Sequence, residues 1–135
     1  MDLSLSLKQF RRLLDLVYIG NWVLNSARGD DRITEFDEVE SFLFAKCREM
    51  GMEKLTERLD NNAIPSRAFA EGGIHEAIME YEDIIFFEIL AEELARRDVI
   101  AEGGAEDDAE QINERIGAYI AEFERNGTDN IVLNL

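Results

Sequence analysis

A chain of 135 residues, 46% apolar and with a single proline, is long enough to bury a sizeable core as one domain and too poor in linker residues to read as disordered. Its formal charge of -16 repels phosphates and anionic lipid, so direct nucleic-acid binding and a membrane-surface role are not expected, while basic partners are attracted. One cysteine, Cys47, and one histidine, His75, exclude an intrachain disulfide and any zinc site not completed by carboxylates.

The acidity is unevenly spread. Through Ile33 there are five basic residues against four acidic ones, and from Thr34 onward nine against twenty-six, so the acidic character belongs to the later helices. The amino terminus carries Asp2 and no apolar run long enough for a secretory signal, and no stretch approaches the ~20 apolar residues of a membrane span. The cytoplasm is the expected location.

The first helix is predicted from Leu7 to about Ala27. Ser6 with Gln9 makes a capping box, Leu5 and Phe10 are placed for a hydrophobic staple, and Arg28-Gly29-Asp30-Asp31 is turn chemistry. Phe10, Leu13, Leu14, Val17 and Leu24 share a face, and Asn21 lies in or beside it, where a buried amide needs hydrogen-bond partners. Trp22 projects away from that stripe, over a second neighbour or an open site. A second helix is predicted from Glu35, capped by Thr34, to Met50, where Gly51 stops it; its buried stripe reads Phe36, Val39, Leu43, Cys47 and Met50. Phe42 and Phe44 lie off this stripe and widen the apolar surface. A short helix is expected from Glu53 to Leu59, ended by Asp60-Asn61-Asn62, followed by an extended Ile64-Pro65-Ser66 and a helical turn over Ser66 to Ala70.

After Gly72-Gly73 comes the helix the chain is organised around, near residues 74–97. Ile74, Ile78, Tyr81, Ile85 and Ile89 form one apolar stripe, and Phe86, Leu90, Leu94, Phe87 and Ala91 another on the far side, so cover is expected on both faces. Gly103-Gly104 makes the next connection. The last helix opens with Glu106, Asp107, Asp108 and Glu110 at the positive end of its dipole, buries Ile112, Ile116, Tyr119, Ile120 and Phe123, and closes at Asn126-Gly127. The final residues, Asn130 to Leu135, suit a short extended tail laid on the bundle or paired with another chain.

Chemistry is thinly represented. Glu88 and Glu92, one turn apart on the long helix, are the carboxylates that could share a cation or act as an acid if turned inward; Glu92 also has ion-pair spacing to Arg96. The Glu-x-x-His pairs of two-metal bundles, the oxygen-ligand spacing of a calcium loop and the lysine of a phosphate loop are absent, so neither metal nor cofactor is expected. Arg28-Gly29-Asp30 matches an adhesion tripeptide that recurs by chance.

The expected architecture is all-α: a compact single domain over residues 1–135, with four main helices, one or two short ones and an extended tail. The expected function is a non-catalytic, acidic cytoplasmic interaction or regulatory protein. Trp22, Phe42, Phe44, Ile131, Leu133 and Leu135 are candidates for its interface with another protein or with a second copy. Two alternatives use other features: a nucleic-acid mimic whose carboxylates occupy a basic groove, and a small enzyme using Glu88, Glu92 or His75 between helices.

Overall fold

The computed structural model describes residues 1–135 and is 64% helical, so the class is all-α. Its four main helices are α1 (Leu7–Asn25), α2 (Thr34–Ala45), α3 (His75–Ala101) and α4 (Ala109–Asn126), with one hairpin of β1 (Thr56–Leu59) and β2 (Asn62–Pro65) between α2 and α3. The chain divides into two units, Met1–Ile78 and Met79–Leu135, each with its own core.

In the first unit α1 begins as its capping box dictates. The Ser6 hydroxyl accepts from the Gln9 amide at 3.2 Å, and the Gln9 side chain accepts from the Ser6 amide at 2.9 Å. Phe10 and Leu14 are buried, but the inward face then continues through Asn21 and Asn25 rather than Leu24. Both amides donate and accept hydrogen bonds. Asn25 donates to Asn21 Oδ1 at 2.7 Å and to the Ile33 carbonyl at 3.0 Å, and accepts from the Ile33 amide at 2.8 Å; Asn21 donates to Asp37 at 3.0 Å. This network clamps the loop over residues 26–33 and decides which side of α2 faces inward.

The expected burial of α2 is corrected accordingly. Asp37, Glu40 and Ser41 are half-buried, Phe44 and Cys47 are fully buried, and Phe36 and Val39 are exposed. Polar satisfaction by Asn21 outweighs the apolar stripe read from spacing. The helix also stops at Ala45, with residues 46–50 in turns and Gly51 at a φ of 70°.

A second correction concerns Glu53 to Leu59. Only Glu53–Leu55 makes a helical turn, and Thr56–Leu59 is a strand paired antiparallel with Asn62–Pro65. Asp60 and Asn61 both take positive φ, 50° and 67°, which is the two-residue hairpin turn whose backbone matches strand twist. Pro65 stands at the strand's end, opposite Thr56, where its missing donor does little harm. Ser66 then caps a helical turn at Arg67–Phe69 and also donates to the Lys54 carbonyl at 2.6 Å. That turn delivers Phe69 to the centre of the core, edge-on to Phe44 at 5.0 Å and to Tyr18 at 5.3 Å.

In the second unit α3 packs on α4 through Ala95, Val99, Ile112, Ile116 and Tyr119, as the spacing of the last helix foretells. Gly104 receives the close return of the chain: its amide donates to the Val99 carbonyl at 2.8 Å. Asp108 caps α4 by accepting from Gln111 at 3.2 Å, and Gly127, at a φ of 55°, ends it. Residues 131–135 are non-helical, as expected of the tail.

Candidate interaction surfaces

α3 carries apolar residues on more than one face, and in Met79–Leu135 α4 covers one side of it. Ala91 and Ala95 are fully buried there, and Phe87, Leu90 and Leu94 are half-buried. Tyr81, Phe86 and Ile89 remain more than half exposed. Cover on two faces, expected from the two stripes, is thus found on one within this unit, because a single partner helix reaches only about one apolar stripe.

Towards the start of α3 the seam with α4 opens into a groove of about 350 Å³. Ile84 and Phe87 on α3 face Ile120 and Phe123 on α4, with the Phe87 and Phe123 rings 5.4 Å apart. Asp83 and Glu88 border the groove on one helix and Glu124 on the other. Ile84 keeps 59% of its surface exposed. An apolar floor edged by carboxylates is what an amphipathic, basic segment complements. The charge agrees: Met79–Leu135 carries sixteen acidic residues against four basic, leaving fourteen against ten in Met1–Ile78.

At the closed end of the seam, Asp98 is the hub of a polar cluster. Tyr119 donates to it, Arg97 donates at 2.7 Å and 2.9 Å, and Arg115 lies 3.9 Å away while also pairing with Glu102. The Tyr119 hydrogen bond, then the two guanidinium charges, hold the Asp98 carboxyl below its usual range, and the same hydrogen bond raises the Tyr119 hydroxyl.

A second concavity, of about 200 Å³, lies between α1 and α2 and is lined by Tyr18, Asn21, Trp22, Ser26, Arg32 and Glu40. The Tyr18 and Trp22 rings stack at 6.2 Å with 27° between planes; His75 meets Trp22 edge-on at 4.9 Å, its Nε2 2.6 Å from the Tyr18 hydroxyl. Arg32 is held in a two-point grip by Asp37, at 2.6 Å and 2.8 Å. Burial pushes the Glu40 carboxyl above its usual range, against the opposing pull of the Asn21 amide. Burial, then the Glu40 charge, raises the Tyr18 hydroxyl.

The residues singled out from sequence fall into three groups. Trp22 borders the cleft and Phe42 is well exposed; Leu133 and Leu135 are exposed on the tail, and Ile131 is half-buried. Phe44 is corrected: at 0% exposure, with its ring against Phe69, it is core and presents nothing to a partner. Glu88 edges the groove, while Glu92 is exposed and pairs with Arg96 at 2.7 Å, so the two do not form an inward acid pair. The groove residues Ile84, Phe87, Ile120 and Phe123 were visible as apolar positions, but not as an opening. Glu40 was missed, because its setting depends on Asn21 and Tyr18 from another helix.

The structure contains no group of three or more His, Cys, Asp or Glu side chains placed to hold a metal, and no helix long and apolar enough to cross a membrane. No family model, curated protein or solved structure matches the chain.

Proposed function

We propose that this protein is a non-catalytic interaction protein of the cytoplasm, and that its α3–α4 groove receives a basic, amphipathic segment of another protein. The observation that carries this reading is the groove itself: Ile84, Phe87, Ile120 and Phe123 left open beneath Asp83, Glu88 and Glu124. Burying such a floor contributes roughly 25 cal/mol per Å² of apolar area, while the carboxylates set orientation and speed encounter. A second copy of the chain is the weaker candidate, since it would bring one strongly negative unit against another.

The test is fluorescence anisotropy with a labelled helical peptide carrying leucines at i, i+3, i+4 and i+7 and lysines elsewhere. Wild-type protein is expected to bind it more tightly than a peptide of equal charge with the leucines replaced by serine, and Ile84→Asp is expected to erase that difference. Equal binding of the two peptides would sink the reading. It would favour instead an acidic mimic of nucleic acid, which needs only charge, is indifferent to Ile84→Asp and releases its partner as salt rises.

A further inference from the structure

We propose that the cleft between α1 and α2 binds an alkylammonium group, with the Glu40 carboxylate as counter-ion and the Trp22 and Tyr18 rings as walls. The inference concerns the first unit and stands whether or not the groove of the second unit binds a peptide.

Three features of the cleft converge on an organic cation. Its aromatic wall is built, not incidental: Tyr18 and Trp22 stack at 6.2 Å, and His75 holds both, by a 2.6 Å hydrogen bond to the Tyr18 hydroxyl and a 4.9 Å edge contact to Trp22. Ring faces attract organic cations, and an ammonium on a carbon chain meets ring and carboxylate together. Glu40, half-buried in the same lining, makes no ion pair. The guanidinium beside it does not serve, because Arg32 spends two N–H groups on Asp37. Arg32 and Asp37 cancel, and Glu40 leaves one negative charge unmatched. The space decides the size of ligand: about 200 Å³ admits a short alkyl chain ending in an ammonium, and the cleft opens to solvent, so a lysine side chain can enter as readily as a free amine. Ser26 in the lining offers a hydroxyl to a further N–H of the ammonium.

Trp22 is the sole tryptophan, so emission from the full chain reports on this cleft. The experiment is a fluorescence titration with n-butylammonium chloride and with Nα-acetyl-lysine amide, using n-butanol and sodium chloride as matched controls. Both ammonium probes are expected to give a saturable change that neither control gives, and Glu40→Gln, checked for folding by circular dichroism, is expected to weaken binding by about tenfold. Calorimetry on Trp22→Leu should show the heat of binding lost, which keeps the test independent of the reporter. Tighter binding of butylammonium assigns the cleft to a small free amine, and tighter binding of the lysine derivative assigns it to a lysine side chain of a partner. A response that does not saturate, an equal response to n-butanol, or unchanged affinity in folded Glu40→Gln overturns the proposal.

Discussion

Gly104 occupies a position that admits no side chain. A Cβ built there would stand 2.6 Å from Val99 Cγ1 and 2.9 Å from the Val99 carbonyl oxygen, and the second of these is backbone that cannot step aside. Gly104→Ala is therefore expected to destabilise the protein by about 1–3 kcal/mol, the usual range for overpacking, seen as a lowered midpoint in urea unfolding with an unchanged slope. Glu40 gives a prediction of opposite sign. Folding raises its pKa, so the contribution of this group is present below its unfolded pKa and is lost as pH rises through the folded one. Glu40→Gln is expected to raise the melting temperature by a few degrees at neutral pH and to leave it nearly unchanged below the ordinary glutamate range. The groups around it, Arg32, Asp37 and Tyr18, stay in place in that variant, so a pH-independent gain would assign the effect to something other than the buried charge.

Among the elements, the α3–α4 pair depends on Asp98. Its carboxyl titrates lower in the folded protein, so its contribution is present above its unfolded pKa and is lost as pH falls through the folded one. Tyr119→Phe removes the hydroxyl that donates to it, and a loss of about 1 kcal/mol is expected near neutrality, shrinking in acid as Asp98 protonates in both proteins. Thermal unfolding at two pH values checks this. In the hairpin, Asn61→Gly keeps the positive φ without a Cβ and is expected to stabilise, whereas Asn61→Val is expected to destabilise; chemical denaturation distinguishes them. The elements differ in how legible they were. Ser6 with Gln9, and the single apolar stripe of α4, specify local structure through neighbours three and four residues away, and both formed as expected. The strand over Thr56–Leu59 turns on Asp60-Asn61 accepting positive φ, a hairpin signal weaker than Asn-Gly, so spacing alone points to helix there. The inward face of α2 and the cleft beside it were out of reach, because they follow from Asn21 and Asn25 meeting Asp37 and Ile33 across a loop. Periodicity ranks faces by apolarity and gives no weight to amides that find partners.

Taken whole, the molecule is strongly negative and carries apolar side chains on its outside, a combination that makes its association state a function of salt. At low ionic strength self-repulsion is expected to keep the chain monomeric despite exposed Phe42, Phe86, Ile89 and Leu133. At about 1 M salt the Debye length falls to ~3 Å, and any pairing through these residues then appears as concentration-dependent mass. Sedimentation equilibrium at both salt levels reads this directly. Dimers at low salt would mean that the apolar surface outweighs the charge and would return a second copy of the chain as the natural partner of that surface.

The single cysteine turns the core of the first unit into a clock. Cys47 is fully buried and lies beside Phe44 and Phe69, so a thiol reagent can reach it only when Met1–Ile78 opens. With reagent in modest excess, the labelling rate divided by that of the unfolded chain gives the fraction of time this unit spends open, under native conditions and without denaturant. Tyr119→Phe and Gly104→Ala, both in the other unit, then become probes of cooperativity. If they quicken the labelling of Cys47, the two cores melt together; if they leave it unchanged, each unit keeps its own time.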